Sequence, residues 1–263
     1  MDSTNNTITL DRLKEKENKL VVSYKTLRNL IGYCGMILPI VLILTTKIAP
    51  SDKKIESSFS DYYYTSSGDI LVSFLCILGA FLFFYKGYNK KENILSTIAG
   101  IFGIFVAFSP TASEDLSQSF SVHTPLPNVP EIFGFERHTI VAGLFFIILG
   151  FISLRCFPQT DVNNQKKQIT TRKKKRNNIF KVCGWIMLIC VPIMGIFFVS
   201  DKFSTMFGKI PFIFIMETIA TWAFGISWLT IGETIYPDGE HYLVSGYKAI
   251  KQFVRDSFIN SKK

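Results

Sequence analysis

Only 19% of the residues are charged and only three are histidine. The scarcity of histidine weighs against a metalloenzyme, because a catalytic zinc needs three close protein ligands. His123, His138 and His241 are far apart and form no His-x-x-x-His pair. Cysteine is nearly as sparse. Cys34, Cys76, Cys156, Cys183 and Cys190 make no Cys-x-x-Cys, and all lie in or beside apolar stretches, which excludes a disulfide framework in the loops. Also missing are a Gly-x-Ser-x-Gly elbow, a phosphate-cradling glycine loop and a His-Glu-x-x-His helix. Period-two alternation of the outer-membrane barrel kind is absent, and the first 28 residues lack the apolar core of a signal peptide.

Long apolar runs are what the chain has. Of its 263 residues 48% are hydrophobic, and 25 are Phe. A helix needs roughly 20 apolar residues to cross about 30 Å of hydrocarbon. Six segments qualify: Asn29–Ile48, Gly68–Tyr85, Ile94–Pro110, His138–Leu154, Ile179–Val199 and Ile210–Ile231. The fold expected is an all-α membrane bundle of six helices, because lipid leaves no partner for an open backbone. Residues 1–28 form a polar lead, 29–231 the transmembrane domain and 232–263 a tail. The first span would serve as an uncleaved signal anchor.

Charge supplies the orientation. Of the 29 Lys and Arg, 23 fall in the lead, in the connections after spans two and four (with Lys181 at the start of span five) and in the tail. Basic residues stay on the cytoplasmic side, so both termini are expected there. Arg172, Lys173, Lys174, Lys175 and Arg176 lie between spans four and five, as a stop-transfer cluster or a contact for anionic lipid. In the tail Leu243, Tyr247, Ile250, Val254 and Phe258 recur at helical spacing, with Lys248, Lys251 and Arg255 off the stripe. This is an amphipathic helix suited to the inner leaflet. The partners expected are membrane lipids and further copies of the chain. Nucleic acid is not among them, because the basic residues are juxtamembrane. No cofactor or metal is expected.

Glu217 is the sharpest single residue. It lies about eight residues into the sixth span, where a charge costs several kcal/mol unless it is paired, protonated or wet. Thr221 and Trp228 share its helix face, and Gly225 permits a close helix approach. The alternatives are a proton or cation site, and a carboxyl that ties the bundle together. The second cluster is Ser57-Ser-Phe-Ser-Asp-Tyr-Tyr-Tyr-Thr65, followed by Asp69. Asp61 with Tyr62, Tyr63 and Tyr64 is either an aromatic belt or the lining of an outer vestibule. Arg137 and His138 open span four at the same surface. Together these residues define a candidate polar outer cavity leading toward Glu217, for a lipid headgroup, a cation or a proton. A membrane hydrolase using Ser57, Asp61 and His138 is an alternative. Gly100, Gly103, Gly143 and Gly150 read as helix-packing positions, and Pro39 and Pro192 as kinks.

The segments Leu27–Gly32, Ser57–Thr65, Tyr85–Tyr88, Ala99-Gly100, Val106–Thr111, His138 and Ala223–Glu233 resemble a family of bacterial six-span integral membrane proteins whose activity is not settled. In plan the chain is also similar to the six-helix damage-regulated autophagy modulators. Where the family pattern has Arg before Asp69, this chain has Gly68. Small membrane proteins of this style also act as membrane-permeabilising effectors in phage defence, which is a further alternative.

Overall fold

The computed structural model describes residues 19–48, 55–87, 89–109, 111, 137–159, 171–207 and 210–235. Among them all regular structure is helical: α1 (Lys19–Ile48), α2 (Gly68–Phe84), α3 (Lys90–Ala107), α4 (Arg137–Phe151), α5 (Thr171–Val199), the short α6 (Asp201–Met206) and α7 (Phe212–Ile231). A 3-10 turn, Ser60–Tyr64, links α1 to α2. The polar lead before Lys19, most of the tail with its amphipathic stripe, His123 and His241 lie outside the described residues.

Among the described residues four helices are long and apolar enough to cross a membrane: Tyr24–Ile48, Arg137–Gln159, Thr171–Val199 and Phe212–Ile231. The apolar α2 is shorter, at 17 residues. The 18-residue α3 opens on Lys90, Lys91 and Glu92, with Asn89 as its cap accepting from the Glu92 amide. The first and fifth helices start earlier than hydropathy alone indicates. Lysines and arginines are good helix formers, so α1 and α5 run back through polar turns before the apolar run begins. The fourth does not stop at Leu154: it passes through one π turn, Ile152–Cys156, and a 3-10 turn to Gln159. Arg155 is exposed there, while the Ser153 hydroxyl donates to the Phe180 carbonyl at 2.9 Å.

Six helices close into a ring. Each packs on its chain neighbour, α7 packs on α5, and α1 closes against α7. Three of these junctions are glycine crossings. A Cβ on Gly100 would stand 2.5 Å from the Phe83 amide nitrogen and 2.6 Å from the Gly79 carbonyl. On Gly225 it would stand 2.8 Å from the Gly32 carbonyl, and on Gly150 3.2 Å from that of Gly184. Lipid is as apolar as a leucine, so close backbone packing rather than hydrophobic burial holds such helices together. Gly103 is tight only against the Phe145 ring, and Gly143 has ordinary contact with Val191. Outward faces carry half-exposed Ile101, Ile189, Ile196 and Phe198, as lipid-facing surfaces do.

Candidate functional site

The ring has two differently built ends. At one, residues 57–65 lie across the mouth as a roof. Ser58 and Asp61 bond reciprocally: the Ser58 amide donates to Asp61 Oδ2 at 3.0 Å, and the Asp61 amide to Ser58 Oγ at 3.2 Å. That is the capping-box arrangement, and it commits Asp61 to shaping the turn. The roof satisfies groups that helix ends leave open. The Ser57 carbonyl accepts from the Phe214 amide in the first turn of α7 at 2.8 Å. The Tyr63 hydroxyl is shared between the carbonyls of Val106, at 2.7 Å, and Ala107 at the end of α3. Tyr64 donates to the Thr111 carbonyl at 2.5 Å. Burial raises the pKa of Tyr62 and Tyr63, so both hydroxyls keep their hydrogens at neutral pH.

Glu217 reaches this roof. Its Oε2 accepts from the Phe59 amide at 2.6 Å, capping the 3-10 turn from a different helix. His138 is buried in the first turn of α4, its Nδ1 on the Ser109 carbonyl and its ring edge-on to Tyr63. A ring nitrogen facing a carbonyl carries the hydrogen, so in the neutral imidazole Nε2 is an acceptor.

Beneath the roof lies a cavity of about 50 Å³. Leu38, Leu71, Leu78, Phe145, Phe146 and Phe224 supply much of its wall, and Glu217, His138, Tyr63 and Thr221 border it. The vestibule expected from the sequence is thus smaller and far more apolar than its tyrosines and acids suggest. Tyr62 packs against Phe214 and Tyr64 reaches Thr111, and neither lines the cavity. Asp69 is exposed in the first turn of α2, and the Arg137 guanidinium stands 5.7 Å over the Phe105 ring. Trp228 shares Glu217's helix face but lies three turns away, about 16 Å along the axis, at the opposite end of the bundle. Among the described residues no three His, Cys, Asp or Glu side chains converge where they could hold a metal.

Gly68 is what lets the roof sit down. A Cβ there would stand 2.5 Å from the Tyr63 carbonyl oxygen and 3.3 Å from that of Tyr62. A long side chain such as arginine therefore cannot stand at 68 with the roof where it is. Gly68→Arg is expected to lift residues 60–64 and lower the melting temperature in micelles by several degrees, an overpacking cost of about 1–3 kcal/mol. An unchanged melting temperature would contradict this placement of the roof.

The other end holds a cluster that sequence reasoning missed. Arg28 is 2% exposed and Glu92 0%. The Arg28 guanidinium stands 4.6 Å from the Tyr24 ring centre and 5.6 Å from that of Tyr85. The Tyr85 hydroxyl donates to Glu92 Oε1 at 2.8 Å. Trp228 closes this end, edge-on to Tyr85 at 4.8 Å and to Phe157 at 5.4 Å. Nearby, Lys25 and Glu233 tie α1 to the end of α7 at 2.8 Å. Glu92 was hidden in sequence by Lys90 and Lys91, which make it look like loop charge. The available signal was a basic residue and a tyrosine, Arg28 and Tyr85, each abutting an apolar run on the same side.

Comparison with family models, curated proteins and solved structures finds no match to this chain.

Proposed function

We propose that this is a six-span protein of the bacterial inner membrane, both termini cytoplasmic, that binds a small ligand in the roofed cavity from the outer side. The observation that carries the reading is a mostly apolar cavity into which Glu217, His138 and Thr221 bring polar groups at one end. Such pockets, apolar with a few convergent polar groups, are the usual form of a small-molecule site. Binding rather than conduction is favoured by the aromatic plug of Trp228, Tyr85, Phe157 and Phe224 across the basic end, all but fully buried.

The basic residues support the orientation and a lipid contact. Arg172, Lys173, Lys174, Lys175 and Arg176 belong to the start of α5 rather than to a loop. Positive charge at a helix N-terminus opposes the helix dipole. Anionic headgroups of the inner leaflet would offset that cost, at about 1 kcal/mol per basic residue near the surface.

The test is thiol accessibility in spheroplasts, in a chain with its five cysteines replaced. Thr221→Cys, on the cavity, is expected to react with silver ion, small enough for a cavity of this size, at least tenfold faster than Ser227→Cys, in the plugged end. Lys174→Cys is expected to resist a membrane-impermeant reagent until the membrane is opened. Equal rates at 221 and 227 would remove the outward-opening cavity, and labelling of 174 in intact spheroplasts would reverse the topology.

A further inference from the structure

The cavity's polar end has a definite hydrogen-bonding sense. Among the described residues the Phe59 amide is the donor to Glu217, at Oε2. That leaves Oε1 for the cavity that Glu217 lines. His138 spends Nδ1 on the Ser109 carbonyl, which leaves Nε2 as a second acceptor in the neutral ring. Thr221, one turn after Glu217 and bordering the same cavity, adds a hydroxyl. Of the other hydroxyls on the cavity, that of Ser60 pairs with that of Ser58 at 2.9 Å and that of Tyr63 donates to the α3 carbonyls. With Glu217 ionised, the described side chains thus present two acceptors and the Thr221 hydroxyl. Three phenylalanine rings, Phe145, Phe146 and Phe224, form part of the wall, and aromatic faces attract cations.

Size narrows the ligand further. A cavity of about 50 Å³ holds roughly three or four water-sized groups, and engineered cavities that take benzene are about three times larger. The closed site therefore suits a molecule of about three or four non-hydrogen atoms.

We propose that the ligand is a small hydrogen-bond donor with an apolar end, a short primary alkylammonium first and a small alcohol second. This rests on the roofed cavity being a binding site and assigns its ligand class. Glu217 would then do two things with its two oxygens. Oε2 holds the roof through the Phe59 amide, and Oε1 receives the ligand head. Three non-hydrogen atoms at about the best attainable efficiency give a Kd no tighter than about 1 mM, so the site would respond to millimolar concentrations.

The test is thermal unfolding of the full chain in maltoside micelles, with ethylammonium, ethanol or acetate titrated at constant ionic strength. Ethylammonium is expected to raise the melting temperature saturably, by about 3–6 °C at ten times its Kd, and to bind at least tenfold more tightly than acetate. Glu217→Gln supplies the reciprocal arm. A glutamine must give its carbonyl to the Phe59 amide, which turns its NH2 toward the cavity. The ethylammonium-to-acetate preference is then expected to fall by about tenfold or more. Should Glu217→Gln fail to fold, the wild-type ranking alone decides. Acetate binding as tightly as ethylammonium in the wild type would overturn the donor assignment while leaving the cavity a binding site. If no probe shifts the wild type, or all shift a cavity-filling Ala142→Leu variant equally, the binding-site reading falls and this inference with it.

Discussion

Glu92→Leu is expected to cost about 3–5 kcal/mol of folding stability, among the largest effects of any single substitution in this chain. The carboxylate is fully buried, accepts from Tyr85 and lies one tyrosine away from the buried Arg28 guanidinium. Removing it takes the acceptor from the buried Tyr85 hydroxyl and a negative charge from the surroundings of the buried Arg28. Arg28→Leu should cost a similar amount for the opposite charge. Replacing both should cost much less than the sum, because exchanging a buried ionic set for apolar groups is often close to neutral. Denaturant unfolding in micelles of the two single variants and the double variant closes the cycle. If the double variant loses the sum of the single losses, Arg28 and Glu92 act independently and the cluster is not a unit.

Gly100→Ala is the second large effect, and it separates packing from helix propensity. Alanine favours a helix over glycine by about 1 kcal/mol. At Gly143, where a Cβ would meet only Val191 at 3.6 Å, that preference should show as a gain of up to about 1 kcal/mol. At Gly100 the new Cβ would run into backbone of Phe83 and Gly79. Backbone cannot swing aside as a side chain can, so α2 and α3 must separate. The expected loss is about 2–3 kcal/mol despite the better propensity. Unfolding of the two alanine variants side by side decides the matter. Losses of equal sign and size would mean that the glycine crossing does not hold the α2–α3 pair together.

A large part of the fold was legible because lipid imposes a length on apolar runs. The helices around α1, α4, α5 and α7 follow from that length, and Gly100, Gly150 and Gly225 followed from the need for small residues where helices cross. Gly143 looked the same in sequence but stands at no crossing, because spacing along one helix does not say which neighbour faces it. Of the candidate site, Glu217, Tyr63, His138 and Thr221 do meet at one cavity. Asp61 is bonded to Ser58, three residues back, and is not among the residues that line the cavity. Trp228 was grouped with Glu217 by periodicity, which reports angle about a helix axis and says nothing of depth.

By itself the sequence determined that this chain is helical and apolar enough to belong in a membrane, and roughly where its long apolar helices lie. Those properties depend on composition, period and length, which are local. The tertiary structure alone decided that the ring closes between α1 and α7, that the tyrosine segment is a roof rather than an open vestibule, and that Arg28 and Glu92 share one buried cluster. Each of these joins residues far apart in the chain, some by more than 60 positions. Their energies come from burial and from helix-end groups finding partners, and neither exists until the helices have packed.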